Sequence, residues 1–254
     1  MLQIERHNNI LALVEQNNFI SIEELMAALQ VSRSTIRRDL LDLEITNKLT
    51  RTRGGAVSKH DDTAIVPDFE PRKSLHREEK RRIANAALNY IEEKDTILLD
   101  EGTTTVELAK LLDRYASLVV ATYDLNIVKE LGTMDNINLV VSSGAYKVSS
   151  NTVIGYFAEK FFSEIHADIF FLAVDAVDPQ HGCMCYSMDE ILIKKSMIRS
   201  AKKTILLVDH SKFETIDFLN VCGINEVNTI ITGVEVNPET IAQLKDAGVN
   251  VVLV

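Results

Sequence analysis

The sequence has little that would serve a secreted, membrane-spanning or metal-clustered protein. Its three cysteines, Cys183, Cys185 and Cys222, are an odd number without framework spacing. That excludes a disulfide scaffold and suits a reducing compartment. His181, Cys183 and Cys185 lack the paired spacing and the fourth ligand of structural zinc sites, so they read as a small-residue loop. The longest apolar runs, such as 169–174 and 204–208, fall far short of the roughly 20 residues that cross a bilayer. The opening stretch MLQIERHNNILALVEQ interrupts its apolar positions with charges and so lacks the apolar core of a signal peptide. The expected location is the cytoplasm, with no membrane partner. Neither a cofactor nor a metal is expected. An excess of positive charge is missing too, because the net charge is −10.

What is present is unevenly spread. Residues 1–60 hold eight Lys and Arg against seven acids, and the remainder carries about −11. Seven of those eight basic residues lie from Arg33 onward, opposite only Asp39, Asp42 and Glu44. A local basic face on an acidic chain is compatible with nucleic-acid binding where the total charge is not. At 254 residues a small module joined to a larger one is the natural arrangement.

Helical spacing over 4–16 predicts a first helix with one buried stripe. Phe19 and Ile20 start a short apolar connection, and Ser21 is a good N-cap for a helix over 22–29. Gln30-Val31-Ser32 makes a tight turn, and Ser32 caps a third helix from Arg33 to about Ile45. There Ile36, Leu40 and Leu43 recur at i, i+4 and i+7, which turns them inward. Arg33, Ser34, Arg37 and Arg38 then point elsewhere. Two short helices joined this way, the second polar and basic near its start, form a helix-turn-helix whose second helix enters the major groove. Lys48 to Arg53 alternates as a strand would, and Gly54-Gly55 permits the positive φ of a hairpin, giving a basic wing. The expected DNA contacts are Ser32, Arg33, Ser34, Thr35, Arg37, Arg38, Arg51 and Arg53. Were these arginines merely a solvated face, helix, turn, basic helix and basic hairpin would not be expected in this order.

The block V-S-x-x-T-I-R-R-D-L-x-x-L at Val31 to Leu43, followed by R-x-x-G-G-A at Arg51 to Ala56, resembles the N-terminal signature of the DeoR family of bacterial transcriptional regulators. The resemblance continues along the chain: E-K-x-x-I-A at Glu79 to Ala84, D-x-G-T-T at Asp100 to Thr104, E-x-x-x-K at Glu190 to Lys194 and D-H-S-K-F at Asp209 to Phe213.

Residues 58–71 are polar, carry two prolines and show no helical period. The domain boundaries expected are a winged helix-turn-helix over 1–57, a linker over 58–77 and an α/β effector-sensing and oligomerisation domain over 78–254. In the last, apolar strands at 96–99, 118–121, 138–141, 169–174, 204–208, 229–231 and 249–254 alternate with amphipathic helices at 104–112, 126–131, 189–201 and 238–247. That alternation predicts a mostly parallel sheet covered on both faces, with ligands at the carboxyl ends of its strands.

Gly102 with Thr103, Thr104 and Thr105 opens a helix directly after one strand and makes a natural anion cradle. Asp100 and Glu101 would repel a bare phosphate but could accept hydrogen bonds from sugar hydroxyls. Glu190 and Lys194, four apart, would alone be an ordinary exposed ion pair worth a few tenths of a kcal/mol. The family resemblance implies a sensor fold similar to ribose-5-phosphate isomerase and CoA-transferase domains, responsive to phosphorylated sugars or related metabolites. By position it implies effector contacts at Asp100, Gly102, Thr103, Thr104, Gly144, Lys147, Asp175, Glu190, Lys194 and Lys212, beside Thr105 of the cradle. The sequence departs from the family pattern at Tyr123-Asp124, Ser143, Ala173 and Ala176, which narrows the pocket near the strand ends.

The function expected is sequence-specific regulation of transcription, as a repressor of carbohydrate-metabolism genes that binds operator DNA as a dimer or higher homo-oligomer and answers to a phosphorylated sugar or polyol. The alternative is a sugar-phosphate isomerase or transferase with an accessory N-terminal segment, in which Glu190, Asp100 and Lys194 would be the acid–base groups. No spacing in the sequence supplies an activated catalytic group with its partner.

Overall fold

The computed structural model describes residues 3–17, 19–46, 48–52, 54–58, 69–213 and 215–254. The chain divides into two compact units, Met1–Arg72 and Lys73–Val254. Arg53 and residues 59–68 of the expected linker lie outside the described residues. A short helix, α4 (Phe69–Ser74), occupies the end of that stretch.

The first unit runs α1 (Gln3–Asn17), β1 (Phe19–Ser21), α2 (Ile22–Leu29), α3 (Arg33–Ile45), β2 (Leu49–Thr52) and β3 (Gly55–Ser58). Ser21 begins α2 with a reciprocal capping box. Its Oγ accepts from the Glu24 N–H at 3.2 Å, and the Glu24 carboxylate accepts from the Ser21 N–H at 2.9 Å. Such a cap contributes about 1 kcal/mol. Gln30 ends α2 in the left-handed region at φ 53°, which turns the chain sharply before Ser32 starts α3. Ile36, Leu40 and Leu43 face inward as their spacing predicts, packed with Ile10, Val14, Leu25 and Leu49.

Two local expectations are corrected. Phe19 to Ser21 is a strand, pairing antiparallel with β3 in a sheet of order β1-β3-β2. Gly55 does not take a positive φ. Gly55 serves close approach instead, since a Cβ there would lie 2.0 Å from the Ile20 carbonyl oxygen across the β1–β3 pair.

The second unit opens with α5 (Arg77–Ala87). Its sheet is built from β4 (Thr96–Leu99), β5 (Leu118–Thr122) and β6 (Ile137–Val141), then β9 (Ala167–Leu172), β12 (Ala201–Leu207), β14 (Thr229–Thr232) and β15 (Asn250–Leu253). All neighbours are parallel, in the order β15-β14-β12-β9-β4-β5-β6. These are the seven strands the sequence predicts, with ends shifted by a few residues. The helices are α6 (Thr103–Ala109), α7 (Leu125–Leu131), α8 (Tyr156–Ser163), α9 (Met188–Ser200) and α10 (Pro238–Asp246). Strands covered on both faces bury every side chain, which is why Ile97 to Leu99 and Phe170 to Leu172 are uninterrupted apolar runs at 0% exposure.

Additional short strands were not expected. β7 (Ala145–Lys147) and β8 (Thr152–Ile154) form a hairpin, and β10 (Ala176–Asp178), β11 (Gly182–Cys185) and β13 (Leu219–Cys222) form a small antiparallel sheet. The chain builds β4, β5 and β6 to one side, then returns to place β9 and later strands on the other. The order therefore reverses between β4 and β9, where a parallel α/β sheet leaves a crevice at its carboxyl edge. Among the described residues no helix is long and apolar enough to cross a membrane.

Candidate DNA-reading face and effector site

Ser32 anchors the start of α3. Its Oγ accepts from the Thr35 N–H at 3.3 Å and lies 2.9 Å from both Ser34 Oγ and Thr35 Oγ1. Arg33, Arg37 and Arg38 are exposed. Arg33 pairs with Glu23 of α2 at 3.0 Å, both largely exposed, a contact readily exchanged for a phosphate. Arg51 of the wing pairs loosely with Glu44 at 3.5 Å. Arg37 and Arg51 line one cavity of about 220 Å³ between α3 and the wing, beside Thr52 and Gly55. Helix and wing thus bring two of the expected cations to one hollow.

Sequence reasoning missed the brace behind this face. Asp39, within the R-R-D-L stretch, is buried and accepts from Arg6 Nε at 2.5 Å and Arg6 Nη2 at 2.9 Å, with His7 Nε2 at 3.2 Å. Burial alone would raise this carboxyl, but Arg6 and His7 outweigh it and hold it below the ordinary aspartate range. The signal was an acid among basic residues on a helix meant for DNA.

In the second unit Asp100 and Gly102 follow β4, and Asp124 follows β5. Asp175 follows β9, and Glu190 and Lys194 stand on α9. Glu190 and Lys194 do not make the ordinary exposed ion pair that their spacing alone would allow. Both residues are buried, and Lys194 reaches back to Asp100 Oδ2 at 2.8 Å and to the Ala173 carbonyl oxygen at 3.1 Å. Asp100 also accepts from the Ala173 N–H at 3.0 Å, from its neighbour Glu101 N–H at 3.0 Å and from Tyr123 Oη at 2.7 Å. The carboxylate, at 0% exposure, thus ties the β4 and β9 ends together across the crevice. Burial works against the lysine's charge, but Asp100, Glu101 and Glu190 outweigh it and push Lys194 above its ordinary range.

Tyr123 was expected only to narrow the pocket. It is wholly buried, its ring edge-on to Phe162 at 6.1 Å between centroids, and its hydroxyl is a structural donor to Asp100. Asp124 caps α7 through the Asn126 N–H at 2.7 Å and accepts from the Gly102 N–H at 3.3 Å. Burial and then the charge of Glu101 push Asp124 up to about 7.

Lys147 joins the site at 3.1 Å from Ser187 Oγ, 3.2 Å from Asp189 and 3.8 Å from Glu190. Asp175 accepts from the Tyr186 N–H at 3.2 Å. Thr103, Thr104 and Thr105 are buried, and the Thr105 hydroxyl donates to the Gly102 carbonyl at 2.8 Å. Gly144 holds the β7–β8 hairpin close, since a Cβ at its φ of 156° would lie 2.3 Å from the Ile154 carbonyl oxygen. Lys212 stands on the turn after β12, within electrostatic reach of Asp209. The geometry therefore gathers Asp100, Gly102, Glu190, Lys194 and Lys147 at neighbouring strand ends, and places Gly144 and Lys212 on flanking turns.

Glu190 carries a pH dependence. Burial first, then Glu101, push it from an ordinary 4.5 to about 8, with Lys194 and Lys147 opposing. A raised carboxyl stabilises the fold fully below its unfolded value, and that contribution is lost as pH rises through about 8. Relative to Glu190→Gln, the wild-type chain is expected to lose about 2–4 kcal/mol of unfolding free energy between about pH 5 and about pH 8. Urea titrations at both pH values check this; parallel profiles for the two proteins would refute it.

A helix-turn-helix with a wing, followed by a parallel α/β unit with a polar crevice, defines a ligand-responsive DNA-binding protein. Residues 6–62 match the DeoR-like helix-turn-helix domain and residues 75–234 the DeoR C terminal sensor domain. The chain belongs to the DeoR family of transcriptional regulators. It is 30% identical to a glycerol-3-phosphate regulon repressor of Escherichia coli (strain K12) over 91% of each chain. It is 31% identical to the HTH-type transcriptional regulator GolR of Listeria innocua, over 99% of this chain and 98% of that one. A glycerol-3-phosphate regulon repressor of Haemophilus influenzae is 32% identical over 92% and 90%. Among solved structures, a D-ribose-5-phosphate isomerase in complex with phospho-erythronic acid overlays with a TM-score of 0.41 at 21% identity, covering 54% of each chain. So loose an overlay carries no weight for the site.

Proposed function

We propose that this regulator represses genes of carbohydrate metabolism and releases its operator when a phosphorylated sugar or polyol enters the crevice at the β4 and β9 ends. The observation that carries the reading is the combination, in one chain, of a braced, basic α3 with polar side chains gathered at the switch point of a parallel sheet, where Lys194 meets Asp100 and Lys147 meets Glu190. Ser32, Arg33, Ser34, Thr35, Arg37, Arg38 and Arg51, with Arg53 outside the described residues, form the DNA contacts in this reading. Thr103 to Thr105, Gly102, Gly144, Lys147, Asp175, Glu190 and Lys212 face the effector, while Asp100 and Lys194 hold the crevice in shape from behind.

The chain acts as a regulator and not as an enzyme. Two of the three acid–base candidates, Asp100 and Lys194, are consumed in one buried ion pair. DNA binding by so small a module calls for two or more copies on repeated half-sites. The large exposed side chains Tyr156, Phe157, Met188 and Leu192 on α8 and α9 suit self-association. Sedimentation of a monomer at micromolar concentration would remove that part.

Gel shifts on the operator test the reading. Arg37→Ala and Arg38→Ala are each expected to weaken binding and to reduce the slope of log affinity against log salt by about 1. Unchanged shifts would take these residues off the interface. Thr103→Ala or Lys212→Ala should keep full affinity yet no longer release DNA when sugar phosphates are added. Turnover of a sugar phosphate at an ordinary enzymatic rate would overturn the regulatory assignment of the crevice.

A further inference from the structure

A second polar cluster gathers where the turn after β12 and the loop after β14 meet the start of α5. The Glu79 carboxylate, 4% exposed, is held by one residue twice: the His210 N–H donates to Oε1 at 2.7 Å, and His210 Nδ1 lies 2.6 Å from Oε2. The rings of His76 and His210 meet edge to face with centroids 4.5 Å apart. One ligand atom from each of His76, Glu79 and His210 lies within 4.8 Å of the others.

Two independent features favour a ligand here. His76 takes a left-handed backbone conformation, φ 53° and ψ 34°, at the N-cap of α5, yet its side chain caps nothing. A non-glycine residue in that region is uncommon, and the conformation persists only where the surroundings hold it. Gly233 is the other feature. A Cβ there would stand 2.3 Å from Glu79 Oε1 and 2.2 Å from Glu235 Oε2, so a bare backbone makes room for two carboxylates at one spot. The adjacent cations are engaged by other acids, Lys80 with Asp209 at 3.8 Å and Arg82 with Glu235 at 2.5 Å.

We propose that His76, Glu79 and His210 bind a divalent transition metal, with zinc the best match, leaving further coordination to water. Two imidazoles and one carboxylate suit zinc and its neighbours, whereas magnesium and calcium prefer all-oxygen sets. Metal–ligand bonds of roughly 2.0–2.2 Å in tetrahedral array put ligand atoms about 3.3 Å apart. The Glu79–His210 contact then opens by under about one ångström while the imidazole of His76 swings inward. The metal takes the place of the proton between Oε2 and Nδ1, and the neutral imidazole keeps its one ring proton by carrying it on Nε2, the Nδ1 proton passing to solvent as Nε2 takes one up. Oε1 keeps its bond from the His210 N–H, which fixes the carboxylate as ligand.

Titration calorimetry of the full, untagged chain with zinc chloride tests this. One equivalent is expected to bind, and His76→Ala and His210→Ala are each expected to weaken binding at least tenfold. His76 is exposed, so its loss leaves the fold intact; His76→Gln repeats the measurement with a similar volume. Cobalt(II) chloride should give visible d–d absorption without a thiolate charge-transfer band, because Cys183, Cys185 and Cys222 are buried elsewhere. His7, Asp39 and Asp42 form the other group of comparable spacing among the described residues, so His7→Ala is the control and should bind as wild type. No saturable binding, equal affinity in His76→Ala, a thiolate band, or loss of binding in His7→Ala would each overturn the proposal.

Discussion

Replacing Asp39 by asparagine is expected to cost the N-terminal unit about 3–5 kcal/mol, the range for breaking one partner of a buried ion pair. The carboxylate binds both Nε and Nη2 of Arg6 and approaches His7, so it fastens α1 to α3. An amide keeps the shape but offers one acceptor oxygen and no charge, and Arg6, only 13% exposed, is left partly desolvated without a counter-ion. A small domain holds only several kcal/mol in reserve. Operator binding should therefore fail through loss of structure although Asp39 is buried behind the exposed arginines of α3. Acid should mimic the substitution: the carboxyl is depressed, so its contribution is present above the ordinary aspartate range and lost as pH falls through its folded value. Hydrogen exchange of the α1 and α3 amides in the full chain reads the effect directly. Protection reduced by less than about 1 kcal/mol would mean that the brace is dispensable.

Lys194→Met should be comparably damaging to the second unit, about 3–5 kcal/mol, because it strands Asp100 at 0% exposure. Asp100→Leu should cost a similar amount by stranding the ammonium. The double variant is the informative member of the series. An apolar pair of similar volume avoids both desolvation penalties, so it should be several kcal/mol more stable than the sum of the single losses. Denaturant melts of the four proteins close the cycle; additivity within about 0.5 kcal/mol would show that the two groups do not act on each other. Effector response is expected to stay lost in the double variant even where stability returns, since the apolar pair cannot hold the Ala173 backbone and Tyr123 hydroxyl in place.

The parts of the structure that depend on local periodicity were legible in the sequence. The helices of the first unit and all seven strands of the large sheet follow from spacing, capping residues and apolar runs. What was not legible depends on partners far away along the chain. Asp39 is 33 residues from Arg6, Asp100 is 94 from Lys194 and Glu79 is 131 from His210. A charged residue in isolation looks like surface, and only the fold reveals that its counter-charge waits inside. Short strands such as β1, β7 and β10, each three residues long, are too brief to show a period of two. Gly55 was misread for a related reason: a need for space across a sheet leaves no mark on neighbouring residues.

The position of Tyr123 gives the molecule an internal optical probe. The chain contains no tryptophan and six tyrosines, and Tyr123 alone among those six is buried. Its ring is locked against Phe162 and its hydroxyl against the Asp100 carboxylate. Near-ultraviolet circular dichroism of the unlabelled protein should thus be dominated by one chromophore at the base of the crevice. A metabolite that disturbs the Asp100–Lys194 pair would announce itself as a change in that band, with no dye, label or DNA in the cuvette.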